Sequence, residues 1–116
     1  MKEKKIVLRS GNRKVSLKAH VVKGFQRCIG LMFSRREKAK ILLFKFRKPV
    51  RMAIHSLFVF YPFLAIWINS NGKIIEKKIV YPFSWYVCPK KKFISLVEIP
   101  LNRKYKRITD GIEKFK

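Results

Sequence analysis

The sequence predicts a mainly β or α+β fold, a compact, barrel-like single domain of about seven strands with one short helix. Three observations lead there. Runs rich in aromatic and β-branched residues alternate apolar and polar positions with period two. Glycine, asparagine and proline break these runs at turn-length intervals. One segment carries apolar residues at helical spacing instead.

The first two strands are Lys4 to Arg9 and Val15 to Val22, joined by a Ser10-Gly11-Asn12 turn. In the second, Val15, Leu17, Ala19 and Val21 share one face, and His20 falls on the opposite face, toward solvent. Lys23 to Phe33 is the helical segment, with Phe25, Cys28, Ile29 and Met32 forming a buried stripe. After a charged connector, Ser34 to Lys40, a strand covers Ile41 to Phe46 and is interrupted by Lys48, Pro49 and Arg51. The apolar stretch around Leu57 to Ile68 reads as two buried strands meeting near Pro62. Leu64 to Asn69 and Lys73 to Val80 give the strongest hairpin signal, because Asn71-Gly72 readily takes the positive φ of a tight turn. Tyr81 to Lys92 is an aromatic loop punctuated by Pro82 and Pro89. Phe93 to Ile99 is the last strand, and a basic tail, partly helical or frayed, follows over 101–116.

At 116 residues the chain has room for one domain, 1–116, since domains commonly run to about 100–150 residues. Its 48% hydrophobic content supplies enough apolar surface to exclude wholesale disorder. Charge is the unusual feature: 29 Lys and Arg against 6 Asp and Glu give a formal net charge of +23. Six carboxylates neutralise a minority of those cations, so the surface repels itself or holds counter-ions, and phosphate polymers are the commonest cellular source of these. The alternative is that dispersed charge only keeps the protein soluble. From Met52 to Gly72 there are 21 residues without a charged side chain, about the length of a membrane span. Pro62 in the middle and the polar run Asn69 to Asn71 at the end argue against one. The charged start of the chain, Met-Lys-Glu-Lys-Lys, shows no apolar signal segment, and a cytoplasmic location is expected.

Several short motifs occur in a fixed order: Gly30-Leu31-Met32-Phe33, Leu42 to Phe46, Ile54 to Phe60 with Pro62, Trp67-Ile68-Asn69 before Gly72, Pro82, Tyr86, Pro89-Lys90, and Leu96 to Pro100. Together they resemble the domain-of-unknown-function family numbered 192 in its short archaeal form, over about residues 4–110. The resemblance implies a small, mostly β domain and no particular reaction. It also implies two acidic positions that this chain lacks. Leu64 and Asn69 stand where such members usually and often carry aspartate. If those acids serve a shared activity, it is lost or altered here; if they cap turns, Asn69 substitutes and Leu64 joins the core.

No metal or cofactor motif is present. Cys28 and Cys88 are sixty residues apart, and neither they nor His20 and His55 show ligand spacing, so no cofactor is expected. No nucleophile elbow or phosphate-cradling glycine loop occurs. The pair that would mark a small-molecule or enzymatic pocket is His55 and Glu98; the simpler reading of Glu98 is a partly buried carboxylate matched by one of the many cations. The favoured reading is non-enzymatic association with RNA or another polyanion. Lys90, Lys91 and Lys92 stand beside Trp85 and Tyr86, with Arg35, Arg36, Arg103 and Arg107 as further clusters. Cations bind phosphate, and rings in a loop stack on unpaired bases. The same rings would otherwise close one end of the barrel. A third reading is attachment to an anionic membrane surface or an acidic protein.

Overall fold

Alternation organises the N-terminal residues into a hairpin. β1 (Lys2–Ser10) and β2 (Arg13–Val22) pair antiparallel, and Gly11 takes φ 59° between them, a conformation glycine adopts without a Cβ clash. The computed structural model describes residues 2–22, 31, 34–56 and 58–114. The helix expected over 23–33 lies outside the described residues, apart from Leu31, which is buried.

β3 (Leu42–Val50) is longer than the sequence predicts, because a register shift between Lys45 and Val50 carries the strand past Pro49. β4 (Phe63–Ile68) and β5 (Ile74–Val80) form the expected hairpin, with Gly72 at φ 79°. β6 (Phe93–Pro100) lies between β3 and β4 and pairs antiparallel with both. The six strands make one sheet in the order β1-β2-β3-β6-β4-β5, with β2 and β3 parallel. The sheet curls into a half-barrel, so that Arg9 on β1 reaches Lys73 beside β5 in an isolated parallel bridge.

Every residue of β4 is buried, because the sheet is covered on both faces. All six strands contribute to the inner core, where Leu8, Leu17, Leu43, Ile66, Val97 and Ile99 meet. A C-terminal helix, α1 (Lys106–Glu113), closes this core through Tyr105, Ile108 and Ile112. The basic tail is thus anchored. Asn102 fixes the start of α1: its Oδ1 accepts from Tyr105 N at 3.1 Å and its Nδ2 donates to Arg36 O at 2.8 Å. Lys77 Nζ donates to Ile112 O at 2.6 Å, a carbonyl that also accepts from the C-cap N–H of Lys114, so β5 is tied to the end of α1.

The outer core is built from Phe44, Phe63, Trp67, Phe93 and Leu96 on the strands, roofed by Val59, Tyr61 and Val87 from the connecting loops. The second strand expected before Pro62 does not form among the described residues. Among the described residues of 51–61, pairing is limited to the bridge between Ile54 and Val87, and side chains alternate between core (Ser56, Val59, Tyr61) and solvent (Phe58, Phe60). Both positions at which the resemblance implies aspartate have structural placements here. Leu64 is buried in the inner core. Asn69 Oδ1 accepts from Asn71 N at 2.9 Å and Lys73 N at 3.0 Å, holding the turn as an aspartate would. Among the described residues no helix is long and apolar enough to cross a membrane.

Candidate nucleic-acid interface

Two loops, 51–61 and 81–92, are joined by one small side chain. Ser56 is fully buried. Its Oγ donates to Tyr81 O at 2.6 Å and accepts from Ser84 N at 2.7 Å, while its backbone bonds Ser84 O and Phe83 N. The Ile54–Val87 bridge continues the joint. With their polar groups turned inward on one another, the loops present rings outward. Phe58, Phe60, Tyr81, Phe83, Trp85 and Tyr86 are exposed, Trp85 by 80% and Tyr86 by 71%. Phe60 and Phe83 meet edge to face, 5.4 Å between centroids, so the two loops form one surface. Phe58 and Phe83 take φ 62° and 61°, a region that costs a bulky residue on the order of 1–3 kcal/mol. The rings do not close the barrel end, as the simpler reading of the sequence had them; they face solvent.

Cations border this surface. Lys90, Lys91 and Lys92 are exposed where the loop runs into β6. Val50 pairs with Phe93, which brings the Arg47-Lys48 end of β3 beside that run. Arg51 Nε donates to Pro89 O at 3.0 Å and Lys90 N donates to Glu76 Oε1 at 3.0 Å, pinning the loop's far end. On the sheet itself, the neighbouring Lys4 side chain holds the Lys45 ammonium below its ordinary pKa. Two such cations facing one another gain from an anion between them.

The other predicted basic residues gather elsewhere. Arg36 and Arg103 line a cleft of about 680 Å³ beside α1, together with Glu37, Lys106, Asp110 and Glu113. Three of the chain's six acids are in this cleft, which makes it electrostatically mixed. Arg36 Nε is committed to Leu101 O at 2.7 Å, and Lys106 Nζ to Asp110 Oδ2 at 2.9 Å. Arg35 and Arg107 are exposed nearby in sequence.

His55 and Glu98 occupy different surroundings: His55 is exposed on the loop, whereas Glu98 is 6% exposed under the outer core. The expected salt bridge to Glu98 is not formed. Among the described residues no cation lies within ion-pair distance, because its strand neighbours are Leu42 and Ala65. Burial instead pushes its carboxyl up to about 8. His20, expected to face solvent, is partly buried with Nε2 3.5 Å from Glu3 Oε2. Cys88 is a partly buried free thiol, and among the described residues no three His, Cys, Asp or Glu side chains gather to hold a metal. The sequence singles out Trp85, Tyr86 and the lysines, which lie on this exposed surface, but does not single out Ser56, Phe58 and Phe60. A lone serine in an apolar run was the available signal, and it reads equally well as a turn residue.

The fold and surface define a mainly β half-barrel domain with an aromatic, basic-rimmed face. No family model matches the chain. Over 75 residues it is 28% identical to a UPF0127 protein of Pyrococcus furiosus, from an uncharacterised family; the match covers 65% of this chain and 64% of that relative. Two solved structures share the fold. A proposed transcription regulator from Sinorhizobium meliloti 1021 superposes with a TM-score of 0.75 at 22% identity, over 93% of this chain and 87% of that one. A protein of unknown function from Novosphingobium aromaticivorans gives 0.71 at 11% identity, over 90% and 77% of the two chains. Likeness at these identities is one of architecture and carries no activity.

Proposed function

We propose that this protein binds single-stranded RNA through the joined loops 51–61 and 81–92. The observation that carries the reading is the set of six exposed rings built on the Ser56 joint, with Lys90, Lys91 and Lys92 at its border. Burying an aromatic side chain is worth on the order of kilocalories, so rings left in water beside cations fit a partner with flat faces and phosphates. Unpaired bases stack on Trp85 and Tyr86 while the lysines neutralise the backbone. The net charge of +23 adds attraction over longer range, to which Arg35, Arg36, Arg103 and Arg107 contribute. Kinship with family 192 is part of the same reading, supported by the motif order and by the Pyrococcus furiosus relative; neither implies a reaction.

The test is competition. A fluorescent single-stranded RNA is bound by the protein and displaced with unlabelled RNA, duplex DNA, heparin or anionic phospholipid vesicles. Displacement by RNA at concentrations well below those of duplex DNA and heparin supports the reading. Equal displacement by all polymers assigns the charge to nonspecific attraction, and displacement by vesicles alone assigns the rings to a lipid surface.

A further inference from the structure

Away from the aromatic surface, the outer core holds polar atoms that packing does not account for. Glu98 is 6% exposed and sits on β6 between Leu42 of β3 and Ala65 of β4. Trp67, on β4, is fully buried and its indole Nε1–H has no acceptor among the described residues. The register sets Ala65 opposite Glu98 and Trp67 opposite Leu96, so Trp67 and Glu98 are diagonal neighbours on one face, about 7–8 Å apart along the backbone. Tyr61 roofs the same core and feels the charge of Glu98; its Oη lies 2.5 Å from Ser34 Oγ. An unsatisfied buried donor or acceptor costs about 1–3 kcal/mol. The unsatisfied indole donor, diagonal to a buried carboxyl that forms no ion pair among the described residues and set in a core otherwise lined by Leu42, Phe44, Phe63 and Leu96, marks a place that a partner molecule completes.

We propose that Glu98 and Trp67, under the roof made by Tyr61, form an internal binding site for a small, largely apolar molecule carrying a ketone or amide oxygen. The chemistry follows from the donors. The indole offers one N–H. The carboxyl, kept protonated at neutral pH by its burial, offers one O–H. A single carbonyl oxygen accepts both, and the surrounding aliphatic and aromatic side chains favour an apolar body over a charged or polyhydroxylated one. This site is independent of RNA binding, since none of its members belongs to the exposed rings.

Cyclohexanone and methylenecyclohexane, alike in shape and differing in the acceptor oxygen, test it. Trp85→Phe leaves Trp67 as the one indole of the chain, so a single N–H resonance reports on the site. The expected result is a saturable displacement of that resonance by cyclohexanone and little by methylenecyclohexane. Glu98→Leu, a near match in shape without a donor, should weaken cyclohexanone at least about tenfold, whereas Glu98→Gln, which keeps an N–H donor, should stay within about threefold of the parent. Equal response to both probes, or an equal affinity in Glu98→Leu, overturns the proposal. If Glu98→Leu lowers the melting temperature, the Gln variant still decides: loss of binding there on an intact fold also counts against the site.

Discussion

Ser56 and Ser84 hold each other in both directions: Ser56 N–H donates to Ser84 O at 2.9 Å, and Ser84 N–H donates to Ser56 Oγ at 2.7 Å. This pair decides whether the two aromatic loops behave as one surface or as two separate segments. Phe58 and Phe83, each at positive φ, sit within one or two residues of it. The hydrogen bonds around Ser56 are what offset that backbone strain.

Ser56→Ala is expected to remove two bonds, leaving Ser84 N without its acceptor while Tyr81 O keeps only the Ser84 hydroxyl. The cost is about 1–3 kcal/mol. For a domain of this size that lowers the melting temperature by several degrees or more, read by thermal denaturation. Because the rings themselves are untouched, a parallel loss of RNA affinity reports how much binding depends on their being held together.

Salt dependence separates the lysines from the rings. Each phosphate contact on a single strand contributes about 0.7 to the slope of log affinity against log salt. Replacing Lys90, Lys91 and Lys92 by glutamine should flatten that slope by roughly 2 if each lysine meets a phosphate. An unchanged slope places the phosphate contacts elsewhere on the sheet.

Glu98 gives a pH signature. Its carboxyl is held near 8 in the folded chain, against an ordinary value of 4.5, and burial is the cause. A raised acid means that the folded state keeps its proton while the unfolded chain releases it. The contribution is therefore fully present below about 4.5, declines as pH rises, and is lost above about 8. Glu98→Gln cannot ionise, so its stability relative to the parent should rise by a few kcal/mol between pH 5 and pH 9. Urea denaturation of both proteins at those pH values checks this, and parallel curves would refute it.

Much of the sheet was legible because its signals are local. The period-two faces of β1 and β2, and the Asn71-Gly72 turn between β4 and β5, can be read from neighbouring residues alone. The surroundings of Glu98 and Ser56 could not be, since both depend on segments far apart in the chain. Glu98 lies between β3 and β4, and Ser56 is matched to Ser84 across the β4–β5 hairpin. Composition pointed to a cation for Glu98, because cations outnumber acids nearly fivefold, 29 to 6. Burial decided otherwise: β6 is the strand flanked by β3 and β4, and long cationic side chains keep their heads in water. Pro62 marks the start of β4 as read, but the residues before it serve the loop surface rather than the sheet.

The turn at Asn69 offers a check on one of the acid positions that the resemblance to family 192 implies. Asn69→Asp keeps both accepted hydrogen bonds and should leave stability within about 0.5 kcal/mol, while Asn69→Ala should cost about 1 kcal/mol. A large gain of activity toward any substrate in Asn69→Asp would show that the position is more than a turn cap.

The central claim is that exposed rings, and not charge alone, bind RNA. Trp85→Ala combined with Tyr86→Ala leaves the net charge at +23 and touches no core residue. The direct measurement is the affinity of this double variant for a short single-stranded RNA at physiological salt, beside the parent. Stacking worth about 1–3 kcal/mol per base requires a loss of at least about fivefold, with the melting temperature unchanged. An affinity equal to the parent's would contradict the claim and leave only a cationic surface.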